Sequence, residues 1–391
     1  MSWKKKFVTN WGRLGMKFNR YALSDLATIK YGKNQKKVLS ESGNIPIYGT
    51  GGLMGYATTA LYDKPSVLIG RKGTIGKVKY VEHPFWTVDT LFYTIVNTDI
   101  VLPKYLYYVM SLIDLNNYNE GTTIPSLRTE TLNRLEFDIP SLVEQETILS
   151  CLNPIDEKIA LNNAINNNLE QQVQAIYRSW FVNYEPFDGT KPDDWSDGTI
   201  DDLGTEIICG KTPSTKKSEY YGGNTPFITI PDMHGCVYIV STERYLSDAG
   251  VASQPKKTLP PNTVCVSCIG TAGLVTLVSE ESQSNQQINS IIPKEGISVY
   301  YIYLLMQTLA DTINKLGQSG STIVNLNKTQ FGKIQVMIPS ELVLQDFDSL
   351  CRPLFDTILS NQKENINLSE LRDALLPKLM SSELDVSDID L

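Results

Sequence analysis

A chain of 391 residues is longer than one hydrophobic core ordinarily fills, so two or three domains are expected. No apolar run approaches the roughly 18 residues that cross a bilayer, and MSWKKKFVTN lacks the apolar stretch of a signal peptide, which predicts a cytoplasmic protein with no membrane segment. The formal charge of −8 argues against nucleic acid as a partner, but it is unevenly placed: residues 1–16 carry +4 and 17–142 carry +3, whereas 143–194 carry −6, 195–340 carry −2 and 341–391 carry −7.

In chain order, residues 1–142 open on a basic extension and continue as short alternating runs, SVLIG at Ser66 and VDTLFYTIV at Val88, bounded by Gly, Pro, Asn and Asp. PKYLYYVMSLI at Pro103 is apolar at helical spacing, so this lobe is predicted to be mixed α+β. Residues 143–183 change character. Ile148, Leu152, Ile155, Ile159, Asn162, Asn166, Leu169, Val173, Ile176 and Trp180 recur at alternating steps of four and three, the spacing of a coiled-coil seam. Pro154 suits the first turn of this long helix, after a short helix containing Leu149. YEPFDGTKPDDWSDG, 184–198, reads as a linker. Residues 199–340 return to lobe chemistry with TPFITI, TVCVSCI, INSIIP and the helical VYYIYLLMQTLADTI. Residues 341–391 hold a second long helix, with Leu350 in its short lead-in, Pro353 at its start, and an acidic tail.

The second half repeats the first. IPSLVEQETILSCLNPIDEKIALNNAINNNLEQQV at Ile139 matches IPSELVLQDFDSLCRPLFDTILSNQKENINLSELR at Ile338, 199 positions on, and GTTIPSL at Gly121 matches GSTIVNL at Gly320 with the same offset. GTIGKV at Gly73 matches GTAGLV at Gly270 with offset 197, and LSDLATIKYGK matches IDDLGTEIICGK with offset 177, so about 20 residues are inserted within the second lobe. Asn162, Asn166, Asn361 and Asn365 fall on the two seams, where a buried Asn weakens a coil but fixes its register. The plainer alternative is an ordinary amphipathic helix with these Asn in solvent.

No catalytic centre emerges. Two histidines, His83 and His234, leave little for acid–base schemes, and GKT at Gly210 lacks the earlier glycine of a phosphate-binding loop. GRKGTIGKV at Gly70 has no dinucleotide-binding spacing, and the Asn/Asp-Pro-Pro-aromatic signature of amino-methyltransferases is missing. Cys265 and Cys268 form one C-x2-C near Cys209, Cys236 and His234, but VCVSCIG alternates like a half-buried strand, so core thiols are expected and no metal. The chain reads as a binding protein without a cofactor of its own.

The order lobe, helix, lobe, helix with internal duplication resembles the specificity subunit (HsdS) of Type I restriction-modification systems. The resemblance runs from about Tyr21 to Glu383 and is carried by the paired openings at Ile139 and Ile338, LNPIDEKIALNNAINNNLE and its partner at Cys351, and the two lobe openings quoted above. It implies two target-recognition domains, each reading half of a split site on double-stranded DNA, separated by two long antiparallel helices that form a coiled-coil ruler. It also implies two methyltransferase subunits docked on the helices and restriction/translocase subunits in the full complex, with AdoMet and ATP bound by those partners. From Ile155 to Trp180 a helix spans about 38 Å, close to the roughly 34–36 Å of one DNA turn.

On that reading Lys33, Lys36 and Lys37 in the first lobe, and Lys211, Thr212, Ser214, Lys216 and Lys217 in the second, suit phosphate contacts from loops that are otherwise simply solvated. Arg71, Lys72 and Thr74 lie in a glycine loop, and Arg is the side chain best matched to guanine O6 and N7. Tyr48 and Thr50, with Gly49 and Tyr56, would offer a stacking or backbone-close surface, core tyrosines being the alternative. Tyr177, Trp180 and Phe181 end the first helix with more aromatic surface than a two-helix seam buries, which points to a methyltransferase contact or to packing on their own lobe. Two rival functions remain: a duplicated-module scaffold without DNA readout, and a self-contained methyltransferase or nuclease.

Overall fold

The computed structural model describes residues 17–318, 324–381, 383 and 384. The basic extension, the Gly320–Ile323 part of the GSTIVNL repeat and most of the acidic tail lie outside the described residues. The chain divides into two compact units, 1–156 with 370–391, and 157–369. Each unit combines one lobe with a stretch of both long helices, so the helices are shared property, not separate domains.

In the first unit, four antiparallel strands run in the order Ala27–Tyr31, Leu91–Val96, Ser66–Gly70, Val78–Val81, and a three-stranded sheet orders Gly52–Ala57, Ile45–Gly49, Trp86–Thr87. Asn19–Ala22 pairs antiparallel with Glu136–Ile139 and ties the beginning of the lobe to its end. Ser66–Gly70 is buried at every position because sheet neighbours flank it and the helix Pro103–Ser111 covers it, which explains why SVLIG is continuously apolar or small.

The second lobe repeats this plan strand for strand. Gly204–Cys209, Ile288–Pro293, Val264–Ser267 and Val275–Val278 follow the same order and gain a fifth strand, Tyr238–Ile239, at the edge. Ile45–Gly49 pairs in parallel with Trp86–Thr87, and Tyr221–Ile228 pairs in parallel with Ser282–Ser284, at matching register. Most of the inserted residues fall between Ile228 and Val264, where they add that edge strand. Gln362 of the second helix fixes the insertion by accepting from Tyr238 N at 3.0 Å and donating to its carbonyl at 3.2 Å.

The long helices extend over Leu142–Phe181 and Glu341–Met380. Pro154 and Pro353 therefore do not begin them; both lie inside, a dozen residues from the start, exposed on the outer face, while Leu152 and Ile155 around the first and Cys351 and Phe355 around the second are buried and hold the helix through the missing N–H. The expected linker is also shorter than 184–198: Ser196–Thr199 is a strand paired with Gln335–Ile338, and Trp195 is buried among aromatic rings. Its polar composition concealed a strand that is only four residues long.

The seam is as expected from the heptads. In the second unit Asn162 Nδ2 donates to Asn365 Oδ1 at 2.9 Å and Asn361 Nδ2 to Asn166 Oδ1 at 2.9 Å, an antiparallel register, and Asn162 and Asn166 are buried. In the first unit the antiparallel pairing is marked by Arg372 against Asp156 at 3.3 Å. The solvent-facing alternative for Asn162 and Asn166 is thus excluded.

Candidate nucleic-acid interface

Each lobe presents a cluster of turns at one end of its main sheet. In the first lobe, Gly32 and Lys33 follow strand Ala27–Tyr31, and Lys33 N donates to Thr87 O at 2.8 Å. Arg71 follows strand Ser66–Gly70, and its N donates to Thr90 O at 2.8 Å. The segment 87–90 therefore clamps both turns together. Gly73, at φ 86°, closes the second turn by donating to Pro125 O at 2.9 Å. A left-handed backbone of this kind suits glycine.

The second lobe builds the same cluster from different residues. Lys211 N donates to Ser284 O at 2.8 Å, Cys268 N to Gln287 O at 2.8 Å, and Gly270 N to Val324 O at 3.0 Å, with Gly270 at φ 78°. Gly32 and Gly210 are also counterparts: a Cβ on either would lie 2.0 Å from Val88 O or 2.2 Å from Asn285 O, so both turns require glycine. The equivalences set Arg71 against Cys268, Lys72 against Ile269, and Asp89 against Gln286.

Among the sequence-predicted residues, Lys33, Lys36, Lys37, Lys72, Thr74, Lys211, Ser214, Lys216 and Lys217 are exposed on these turns or the loops beside them. Arg71 is half-buried and directed: its Nη1 donates to Asp89 O at 2.8 Å and its guanidinium lies 5.1 Å over the exposed Tyr31 ring. Thr50, at the hairpin tip, lies close to Gly73, which joins that hairpin to the cluster. Thr212 Oγ1 donates to Gln286 Oε1 at 2.8 Å. Lys217 Nζ donates to Tyr220 OH at 2.9 Å, an interaction that raises the ammonium pKa and keeps it charged. Lys36 N donates to Asn34 Oδ1 at 2.9 Å, fixing the turn that carries Lys36 and Lys37.

Two expectations need correction. Tyr48 is not on the surface: it is buried with Leu68, Val81, Phe85, Leu91 and Tyr93, its hydroxyl pairs with His83 Nε2 at 3.2 Å, and Lys79 Nζ covers its ring at 3.9 Å. Ile47, Tyr48 and Gly49 are buried in succession, with Ile47 and Tyr48 in separate clusters, so both faces of the strand are covered there, and burial raises the Tyr48 phenol pKa. Tyr177, Trp180 and Phe181 likewise pack within their own unit, against Tyr301, Phe347 and Trp195, with Phe181 4.8 Å from both Tyr301 and Phe347. The aromatic surplus of the first helix is absorbed by the second lobe.

Gln286, Gln287 and Asn325 belong to the second cluster and were missed. The offset of 197 applied to VDTLFY would have placed NQQINS on the same segment. Cys265 and Cys268 are buried thiols whose pKa burial pushes up to about 12, and among the described residues no group of three or more His, Cys, Asp or Glu side chains is gathered closely enough to hold a metal ion. Among the described residues no helix is long and apolar enough to cross a membrane.

A lobe and helix present twice, with equivalent turn clusters dressed in different side chains, define a two-site recognition protein. The model of the Type I restriction modification DNA specificity domain matches residues 16–171 and again 192–345. The HindI Type I restriction enzyme specificity subunit of Haemophilus influenzae is 33% identical over 386 residues, covering 79% of this chain and 84% of that one. The MjaIX specificity subunit of Methanocaldococcus jannaschii is 26% identical, covering 84% and 80%. The crystal structure of a Type I restriction-modification S subunit from M. genitalium shares the fold at a TM-score of 0.56 and 17% identity, covering 93% of this chain and 96% of that one. The chain belongs to the family of Type I restriction-modification DNA specificity subunits and carries two copies of its recognition domain.

Proposed function

We propose that this chain reads a two-part duplex DNA target, one part per lobe, through the turn clusters at Lys33 and Arg71 and at Lys211 and Gly270. The reading rests above all on one observation: the two clusters share their backbone hydrogen bonds, and the equivalent lysines Lys33 and Lys211, but carry different side chains at Arg71 and Cys268, Lys72 and Ile269, and Asp89 and Gln286. Shared geometry keeps the mode of approach constant, while Arg71 in one lobe and Gln286 with Thr212 in the other present different donor and acceptor patterns to base edges. The lysines on the adjoining loops serve phosphates, which position the duplex without specifying sequence.

Chemistry belongs to partners. Two methyltransferase subunits dock on the shared helices and bind AdoMet, restriction/translocase subunits bind ATP, and this chain works without a cofactor or a catalytic residue in the cytoplasm. The acidic balance of both helices suits protein contact, not DNA. The test is methylome sequencing of cells with and without the chain, in which a split methylated motif should vanish. Gln286→Ala with Thr212→Ala should then alter only one part of that motif. An unchanged methylome would overturn the assignment, and a change in both parts would overturn the division of labour between lobes.

A further inference from the structure

The duplication allows each junction between lobe and helix to be compared with its counterpart. Asp156 of the first long helix corresponds, 199 positions on, to Phe355 of the second, and Val173 to Arg372. Asp156 is held by Arg372 at 3.3 Å and by Lys104 at 3.2 Å. Phe355 is instead fully buried and stacked on Tyr300, with ring centroids 4.3 Å apart and planes 13° from parallel. Tyr300 holds in helix Val299–Thr308 the place that Lys104 holds in helix Pro103–Ser111. The register that sets Asp156 against Arg372 sets Phe355 against the buried Val173. Equivalent junctions are thus ionic in one unit and apolar in the other.

The helix ends differ in the same sense. Tyr177, Trp180 and Phe181 fill an aromatic socket containing Phe347. Their counterparts Leu376, Leu379 and Met380 join the core of the first unit with Ile148, which is the counterpart of Phe347, so smaller unringed side chains stand at all four matching places.

We infer that these differences form a pairing code, by which the helix face of the first half fits the second half and rejects a second copy of itself. In a pair of first halves Val173 would replace Arg372 opposite Asp156, and Tyr177, Trp180 and Phe181 would be forced into the space that Leu376, Leu379 and Met380 fill. In a pair of second halves Arg372 would lie against Phe355. Overpacking and a half-buried charge facing an apolar surface both disfavour such pairs. The seam asparagines do not discriminate, because the repeat maps Asn162–Asn365 onto Asn166–Asn361 and a like pair would regain both bonds. Selection of the unlike half therefore comes from contacts that penalise the wrong partner.

The test uses the full chain with a protease site inserted after the exposed Gly189, cut once folded, with circular dichroism to verify that the cut protein keeps its fold. After exchange at dilute concentration, native mass spectrometry should find unlike pairs favoured over like pairs by about tenfold or more beyond random association. Val173→Arg with Tyr177→Leu, Trp180→Leu and Phe181→Met gives the first helix the side chains that the second has at the matching places. First halves carrying these changes should pair with one another, about tenfold more than wild type. If that variant does not fold, Arg372→Val in the second half serves, since it suits Phe355 of a second copy and should raise second-half pairs. Random association of the wild-type halves, or an unchanged preference in a folded variant, would overturn the code.

Discussion

Arg71 is anchored before any ligand arrives, since the Asp89 carbonyl and the Tyr31 ring hold its guanidinium in place. Little ordering entropy remains to be lost on binding a base edge. Arg71→Ala should abolish methylation directed by one half-site, and because the side chain is at the surface, the melting temperature should stay within a degree or two; wild-type methylation would remove it from the interface. Lys211→Ala should weaken duplex binding uniformly across sequences and reduce the dependence of log affinity on log salt by about one ion, measured with the methyltransferase partner present. Glu170 tests the interior. It lines a cleft with Cys236 and Tyr303, and burial raises its carboxyl pKa above the unfolded value. A raised folded pKa contributes stability below the unfolded pKa and loses it as pH rises through the folded one. Glu170→Gln should therefore melt higher than wild type near pH 7, with the difference fading as pH falls towards 4, in parallel thermal scans.

Among the elements, the helices are most dependent on what covers them. Phe355 is fully buried under Tyr300 and Tyr303, so Phe355→Ala should cost about 3–5 kcal/mol by chemical denaturation. Asp156→Ala, at the equivalent junction, should cost less, about 1–3 kcal/mol, because Asp156 is still about a quarter exposed and its partners retain access to water. Equal losses would show that the ionic and aromatic junctions are energetically interchangeable. The heptad spacing made these helices legible, but their true beginnings were not: a proline at residue 154 is a locally plausible start, and only burial on both sides reveals why the helix runs through it.

For the whole molecule, duplication is the governing fact. Deleting one heptad from both long helices should keep the seam in register and change the spacing between the two methylated half-sites; an unchanged spacer in methylome mapping would count against the helices as a ruler. The offset of 199 exposed the plan of lobe and helix without any structure, and the offsets of 177 and 197 located the second-lobe insertion. The turn clusters were only partly legible. Lysines and glycines announce a loop, whereas Gln286 and Gln287 owe their place to strands that bring distant segments together.

The sequence by itself determined the two mixed lobes, the seam with its asparagines and the family, because periodicity and repetition survive in one dimension. Only the tertiary structure decided that Tyr48 is core, that Tyr177, Trp180 and Phe181 are consumed within their own unit, and that the equivalents Asp156 and Phe355 stand in opposite environments. Exposure depends on what packs against a side chain, and those neighbours lie up to about two hundred residues away along the chain.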